Sequence, residues 1–337
     1  MTEDGDGDGT PGDVNGDEEG LTYAESGVDI EASEAATAAL VAEAGEGTGD
    51  FAGLLDIGDR YLGLATDGVG TKLLVAAALD DYSTVGIDCI AMNANDLVAA
   101  GVRPVAFVDY LAVEEPDEET AEEIGEGLAT GAERAGVELV GGETAVMPEV
   151  IRDLDLAGTC AGLAAPDAVF EGRAAAGDVL VGFPSSGIHS NGLTLAREAA
   201  TREGEYTDPF PDDDSGRSVG EVLLEPTRIY AGLLDPMREH GVRGAAHITG
   251  GGLTNLERLG DRRYVVDDPF PPQPVFEFVR RAGNVARDEM YRTFNMGTGF
   301  VAALPRERAV DLVDATDGRV IGRVEDGSGV VVDGLEL

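Results

Sequence analysis

From residue 21 onward the chain alternates short apolar runs with stretches of helical periodicity, and it does so twice. No other feature restricts its fold as tightly. In the first series LGLAT (62–66), PVAFVDYLAV (104–113), VELV (137–140) and LDLAGTCAGLAA (154–165) read as strands. Between them, residues 84–101 and 117–136 read as helices, each stopped by a glycine. EGRAAAGD (171–178) is a turn-rich break. The second series has strands at 177–183, 245–249 and 299–305, and helices at 191–204, near 274–292 and at 306–315. Two closing strands follow. This order predicts an α/β (α+β) protein of two mixed domains, 21–170 and 171–337, each a sheet covered by helices.

Residues 1–20 do not join either series. They are rich in Gly and Asp and almost without apolar side chains, which predicts a disordered acidic tail. Asp4, Asp6 and Asp8 before Gly9 imitate the start of a calcium loop. Its twelfth position is Asn15, where a bidentate Glu is needed, so no calcium site is expected. The tail only accentuates the whole: 66 acidic against 23 basic residues give a net charge of −43. Such self-repulsion needs salt to screen it, as in halophiles, and it excludes nucleic acid and anionic membranes as partners. No run approaches 18 apolar residues, and no signal peptide is visible at the N-terminus. Cys89 and Cys160 have no paired spacing, which fits a reduced cytoplasm.

Four glycine-bearing segments leave strands or enter helices: TDGVGTK (66–72), VGGETAVMP (140–148), PSSGIHSNG (184–192) and HITGGGLTN (247–255). Glycines there allow consecutive N–H groups to converge on an anion. Asp67 and Glu143 sit at such glycines, and Asp96 follows Asn93 and Asn95 in an otherwise small and apolar helix. Carboxylates beside phosphate-holding loops suit magnesium. Against this stands their membership in a crowd of 66 acids. Lys72 is the only lysine among 23 basic residues, and it closes the first glycine turn, where a phosphate contact is expected. Of three histidines, His189 and His247 lie in these segments, whereas His240 reads as an exposed helix end. No HxxxH pair, P-loop, kinase glycine loop or GxGxxG occurs, so zinc and the common nucleotide motifs are excluded.

TDGVGTK, IDCIAMNANDLVAAGVRPVAFVDYLA, LVGGETAVMP, SSGIHSNG, LLEPTRIY, HITGGG and EMYRTFNMGTGF, in that order, resemble aminoimidazole ribonucleotide synthetase, the phosphoribosylformylglycinamidine cyclo-ligase family. The resemblance runs from about residue 27 to the C-terminus. It implies two α/β domains, a homodimer, and closure of the imidazole ring of purine precursors with ATP and Mg2+. ATP phosphorylates the formyl amide oxygen, a substrate nitrogen attacks that carbon, and phosphate leaves. The resemblance implies ATP and phosphate contacts at Asp67, Gly68, Gly70, Thr71, Lys72, Asn95, Gly141 and Gly142 in the N-terminal domain. It implies metal binding by Asp67, Asp96 and Glu143, and substrate contacts at Ser190, Asn191, Thr249, Gly250 and Gly251. Lys72, His189 and His247 become the catalytic candidates. Family members carry a glycine-rich segment that is poorer in glycine here, at 43–57, and lacks lysine. Among relatives, selenophosphate synthetases need an early Cys or selenocysteine, and hydrogenase-maturation proteins end in a cysteine. This chain has neither, and its FNMGTGF and GGETAVMP blocks fit thiamine-monophosphate kinase less well.

Overall fold

A computed structural model describes residues 20–22, 26, 35–36, 38–39, 51–202, 204–211 and 216–337. The acidic stretch 1–19 and most of the segment 43–57 lie outside the described residues. The N-terminal half contributes β1 (Gly53–Asp56), β2 (Tyr61–Gly68), α1 (Leu73–Leu79), α2 (Val85–Ala99), β3 (Arg103–Val113), α3 (Glu118–Ala135), β4 (Glu138–Val146) and β5 (Leu154–Ala164). These strands form one sheet in the order β1-β2-β5-β3-β4. Only β3 and β4 run parallel; the other neighbours are antiparallel.

The chain then builds β6 (Val179–Pro184), α4 (Leu193–Thr201), α5 (Val219–Leu223), α6 (Leu234–Glu239), β7 (Gly244–His247), β8 (Arg263–Val266), α7 (Pro274–Ala282), α8 (Arg287–Thr293), β9 (Thr298–Leu304), α9 (Arg306–Ala315), β10 (Arg319–Glu325), β11 (Gly329–Val332) and β12 (Leu335–Glu336). Its seven strands lie in the order β12-β11-β8-β10-β6-β9-β7. His240 closes α6.

Local chemistry explains most of these boundaries. Asp117 caps α3 by accepting from the Thr120 N–H at 2.8 Å, and Gly136 ends it in the left-handed region at φ 69°. The helical stretch near 274–292 is two helices, not one. Gly283 ends α7, and Asn284 turns the backbone at φ 49° before α8 begins. VGGETAVMP is not a loop either. β4 continues through Gly141, Gly142 and Glu143, because their backbone pairs with Val108–Tyr110 of β3.

Helix α2 is the centre of the molecule. It packs on α3 and on the first sheet, and its other flank meets β7 of the second sheet. Gly86 permits this density, since a Cβ there would lie 2.2 Å from the Leu128 backbone nitrogen. Every residue of α2 is buried except Asp96. A helix exposed only at Asp96 delivers that side chain to the boundary between the two sheets.

Candidate active site

Asp67 ends β2, Asp96 emerges from α2, and His247 ends β7, so three elements converge on one boundary. The His247 Nδ1–H donates to Asp96 Oδ1 at 2.9 Å. Its Nε2 faces the Asn95 amide nitrogen at 3.4 Å, a donor, which agrees with that tautomer. The Asp67 Oδ1 accepts from the Gly68 N–H at 2.8 Å. Asp67 keeps an exposed rim but is crowded by protein beneath. Burial, and then repulsion from Asp96, push its carboxyl up to about 6. One oxygen of each carboxylate is thus engaged by protein, and the pair carries surplus negative charge.

Lys72 does not belong to this group. It is wholly buried, its ammonium 2.8 Å from Asp88 Oδ2 and donating to the Glu225 carbonyl oxygen at 2.7 Å. Asp88 Oδ1 in turn accepts from the Thr227 N–H at 2.7 Å and its hydroxyl at 2.6 Å. Burial lowers the Lys72 pKa, and Asp88 opposes the shift. The expected phosphate contact is therefore corrected: Lys72 ties α2 to the 225–227 segment of the other half. Its compact head fits where the planar guanidinium fork would not.

Asn95 also serves this seam. Its amide donates to the Arg228 carbonyl at 2.9 Å and accepts from the Tyr230 N–H at 2.8 Å. Asn93 donates to the Asp67 carbonyl at 3.1 Å and fixes the end of β2. Gly70 turns the chain at φ 69°, and the Thr71 hydroxyl meets that of Thr194 at 3.0 Å across the boundary. A Cβ on Gly70 would meet nothing within 4 Å, so the backbone near Asp67 is open there.

Glu143 is not brought to Asp67 and Asp96. Strand register places Asp67, Gly158, Asp109 and Gly142 in one row on the helix-covered face, and Gly68, Ala157, Tyr110 and Glu143 in the next row on the other face. Among the described residues no three His, Cys, Asp or Glu side chains form a ready metal cage. Asp109, not Glu143, shares the face of Asp67. Its carboxyl leans over β4, where a Cβ on Gly142 would lie 2.3 Å from Asp109 Oδ1, and burial raises its pKa. An acid inside the apolar run PVAFVDYLAV was the overlooked signal. Gly141 lies on the opposite face, level with Val108.

On the other bank, Asn191 approaches Gly250: a Cβ on that glycine would sit 3.5 Å from Asn191 Oδ1. The Ser190 hydroxyl meets that of Thr227 at 3.4 Å. The Thr249 N–H donates to Asn255 Oδ1 at 2.8 Å, and Gly251 turns at φ 101°. His189 is buried at the strained φ of 67°; its Nε2 accepts from the Ser186 N–H at 3.2 Å, and its Nδ1 has no partner. Burial, then His247, hold it well below the usual histidine range, hence neutral. Neither histidine has an exposed ring edge, since both are buried.

A two-layered α/β pair joined along one buried helix, with carboxylates at the seam, defines a class of protein that comparison makes specific. Residues 49–164 match the model of AIR synthase related protein, N-terminal domain, and residues 175–334 that of its C-terminal domain. The chain is 48% identical over 332 residues to the phosphoribosylformylglycinamidine cyclo-ligase of Methanosarcina mazei, covering 95% of this chain and 99% of that one. The fold resembles AaThiL complexed with AMPPCP and TMP, with a TM-score of 0.67, 18% identity and coverage of 92% and 96%. It also resembles hydrogenase maturation protein HypE in complex with ATP, with a TM-score of 0.59, 18% identity and 84% of each chain covered. The chain belongs to the AIR synthase related family, in its phosphoribosylformylglycinamidine cyclo-ligase branch. The last two likenesses concern the fold alone.

Proposed function

We propose that the chain is the ATP-dependent cyclo-ligase that converts formylglycinamidine ribonucleotide to aminoimidazole ribonucleotide, ADP and phosphate. The family membership supports the reaction, and the Asp67–Asp96 pair at the seam is the observation that carries it to these residues. The formyl amide oxygen takes the γ-phosphoryl group of ATP as the iminophosphate forms. A substrate nitrogen attacks the carbon, a proton is lost, and phosphate departs with that oxygen. Little covalent work falls to the protein; positioning and charge neutralisation carry such a transfer.

An all-oxygen donor set with excess negative charge fits Mg2+, which favours one or two carboxylates with phosphate oxygens. Asp67 and Asp96 are the proposed ligands, and the ion would neutralise phosphate charge there. His247 holds the Asp96 carboxylate in one orientation, and Asn93 does the same for the end of β2. The N-terminal half is the proposed nucleotide side. Ser190, Asn191, Thr249, Gly250 and Gly251 form the proposed substrate side.

A homodimer completes the reading. Opposite its helix-covered face, the first sheet presents Leu64, Val108 and Tyr110, each at least 40% exposed among the described residues, in a chain of net charge −43. A second copy would cover this apolar face. No described helix is long and apolar enough to cross a membrane, and we place the enzyme in the cytoplasm of a salt-requiring cell. ADP release in high potassium chloride should depend on the formylglycinamidine substrate. With substrate labelled with ¹⁸O at the formyl position, the label should reach inorganic phosphate. ADP released equally without substrate would sink the reading.

A further inference from the structure

Beyond the Asp67–Asp96 pair, the turn after His247 opens onto a cavity of about 480 Å3, within the range of small-ligand sites. Gly250, Gly251, Arg258 and Arg292 all line it. The turn is held from behind. Asn255, itself 5% exposed, accepts from the Thr249 N–H and donates to the Gly250 carbonyl at 3.2 Å, while the Thr254 hydroxyl donates to the Gly251 carbonyl at 2.6 Å. The carbonyls are therefore tied back, and among the described residues the N–H groups of Gly250 and Gly251 meet no protein acceptor. Free N–H groups on a fixed turn make an anion cradle.

The two arginines are not spoken for. In a chain with 66 acids, neither Arg258 nor Arg292 makes an ion pair among the described residues. Arg258 is held in place by Phe51, whose ring centroid lies 4.8 Å from the guanidinium carbon. Glu257 is the one acid on the cavity wall, so the lining keeps a net positive charge. Two guanidinium groups without an ion pair, lining one cavity together with free N–H donors, suit a dianion.

We infer that this cavity is a phosphomonoester subsite in which Arg258 and Arg292 hold the 5′-phosphate of the ribonucleotide substrate. The assignment rests on the cyclo-ligase reading for the identity of the substrate. The chemistry alone would also admit a phosphate group of the nucleotide. Position favours the ribonucleotide: the turn faces Asn191, whereas Asp67 and Asp96 lie on the α2 side of His247. Bidentate arginine contacts suit a terminal phosphate.

Arg258→Gln and Arg292→Gln, assayed at fixed potassium chloride, should each raise KM for the ribonucleotide roughly 10–100-fold while KM for ATP stays within about twofold. Arg292→Lys should recover part of the loss. Because Arg258 also packs on Phe51, the Arg292 variants guard against a folding artefact. Independently, ribose 5-phosphate should raise the thermal midpoint of the wild type, ribose should not, and the double variant should lose the response. An unchanged ribonucleotide KM, or a rise in KM for ATP instead, overturns the assignment. If the wild type shows no substrate-dependent ADP release, the cyclo-ligase reading fails, yet the ribose 5-phosphate measurement still decides whether the cavity binds a phosphomonoester.

Discussion

Two charge clusters sit on the same helix two turns apart, and they have opposite characters. At Asp88 the account is closed: one ammonium, one backbone N–H and one hydroxyl meet one carboxylate, all of them buried. At Asp96 it is open, since two mutually repelling carboxylates have one histidine beside them and, among the described residues, no paired cation. A buried charge met by a buried counter-charge holds two halves of a fold together. A carboxylate pair left uncompensated at a seam waits for something the chain does not contain.

The sharpest way to break the contrast is to remove the lysine. Lys72→Met leaves Asp88 buried without its cation, and unfolding free energy should drop by about 3–5 kcal/mol. Lys72→Arg should also lose stability, because the fork has no room. Denaturant titration measures both. A stable Lys72→Arg protein that has lost only turnover would return Lys72 to the phosphate role and erase the distinction drawn between the clusters.

Next in size is the open cluster. Asp96→Asn should keep the fold and lower kcat/KM on the order of 10²–10³-fold, the scale of one electrostatic contact made in a transition state. His247→Asn, acting only through Asp96, should cost less than Asp96→Asn, and the double variant little more than Asp96→Asn alone. Additive losses would show that His247 meets the substrate itself.

A smaller effect concerns pH. Because Asp67 titrates at about 6, above the usual carboxylate value, kcat/KM should fall as pH drops through 6 and the ligand loses its charge. The stability sign is the reverse of the usual acid case. A raised carboxyl pKa means the folded protein binds a proton more tightly than the unfolded chain, so this contribution is present at low pH and lost as pH rises through about 6. Asp67→Asn, in chelator, should therefore melt higher than wild type at pH 7.5, and the gap should close toward pH 4. A gap that widens on acidification contradicts the assignment.

Salt gives the smallest and most discriminating comparison. Screening shortens to about 3 Å at 1 M, so added potassium chloride should lower the Asp67 midpoint at its exposed rim. The Lys72–Asp88 coupling, read from a double-mutant cycle, should stay fixed, since no solvent reaches it. The overall thermal midpoint should rise with salt, as the charge of −43 demands. Equal sensitivity of both clusters would place them in the same environment.

Much of the architecture is legible in the residues because it rests on local physics. Apolar runs such as 104–113 and 154–165 have no helical spacing, and they are the long paired strands β3 and β5. The glycine at 136 ends its helix where expected. The short elements β1, β8, α5 and α6 escape notice, since four to six residues carry too little periodicity to announce themselves. The glycine pair 141–142 reads as a turn because glycine usually marks one. Here it makes room for the Asp109 carboxyl inside a strand.

By itself, then, the sequence determined the two mixed sheets with their helices, the acidic surface, the family, and the set of motifs from which a site is built. Which of those residues meet was decided only in three dimensions. Asp67, Asp96 and His247 are scattered over 181 positions, and only the packing of β2, α2 and β7 against one another joins them. Glu143 and Asp109 lie in adjacent rows of the same sheet but on opposite faces, a difference set by the alternation of side chains along paired strands. Lys72 was conspicuous as the lone lysine, yet rarity carries no direction. The ammonium points inward because Asp88 and Glu225, 16 and 153 positions away, close around it when the two halves pack.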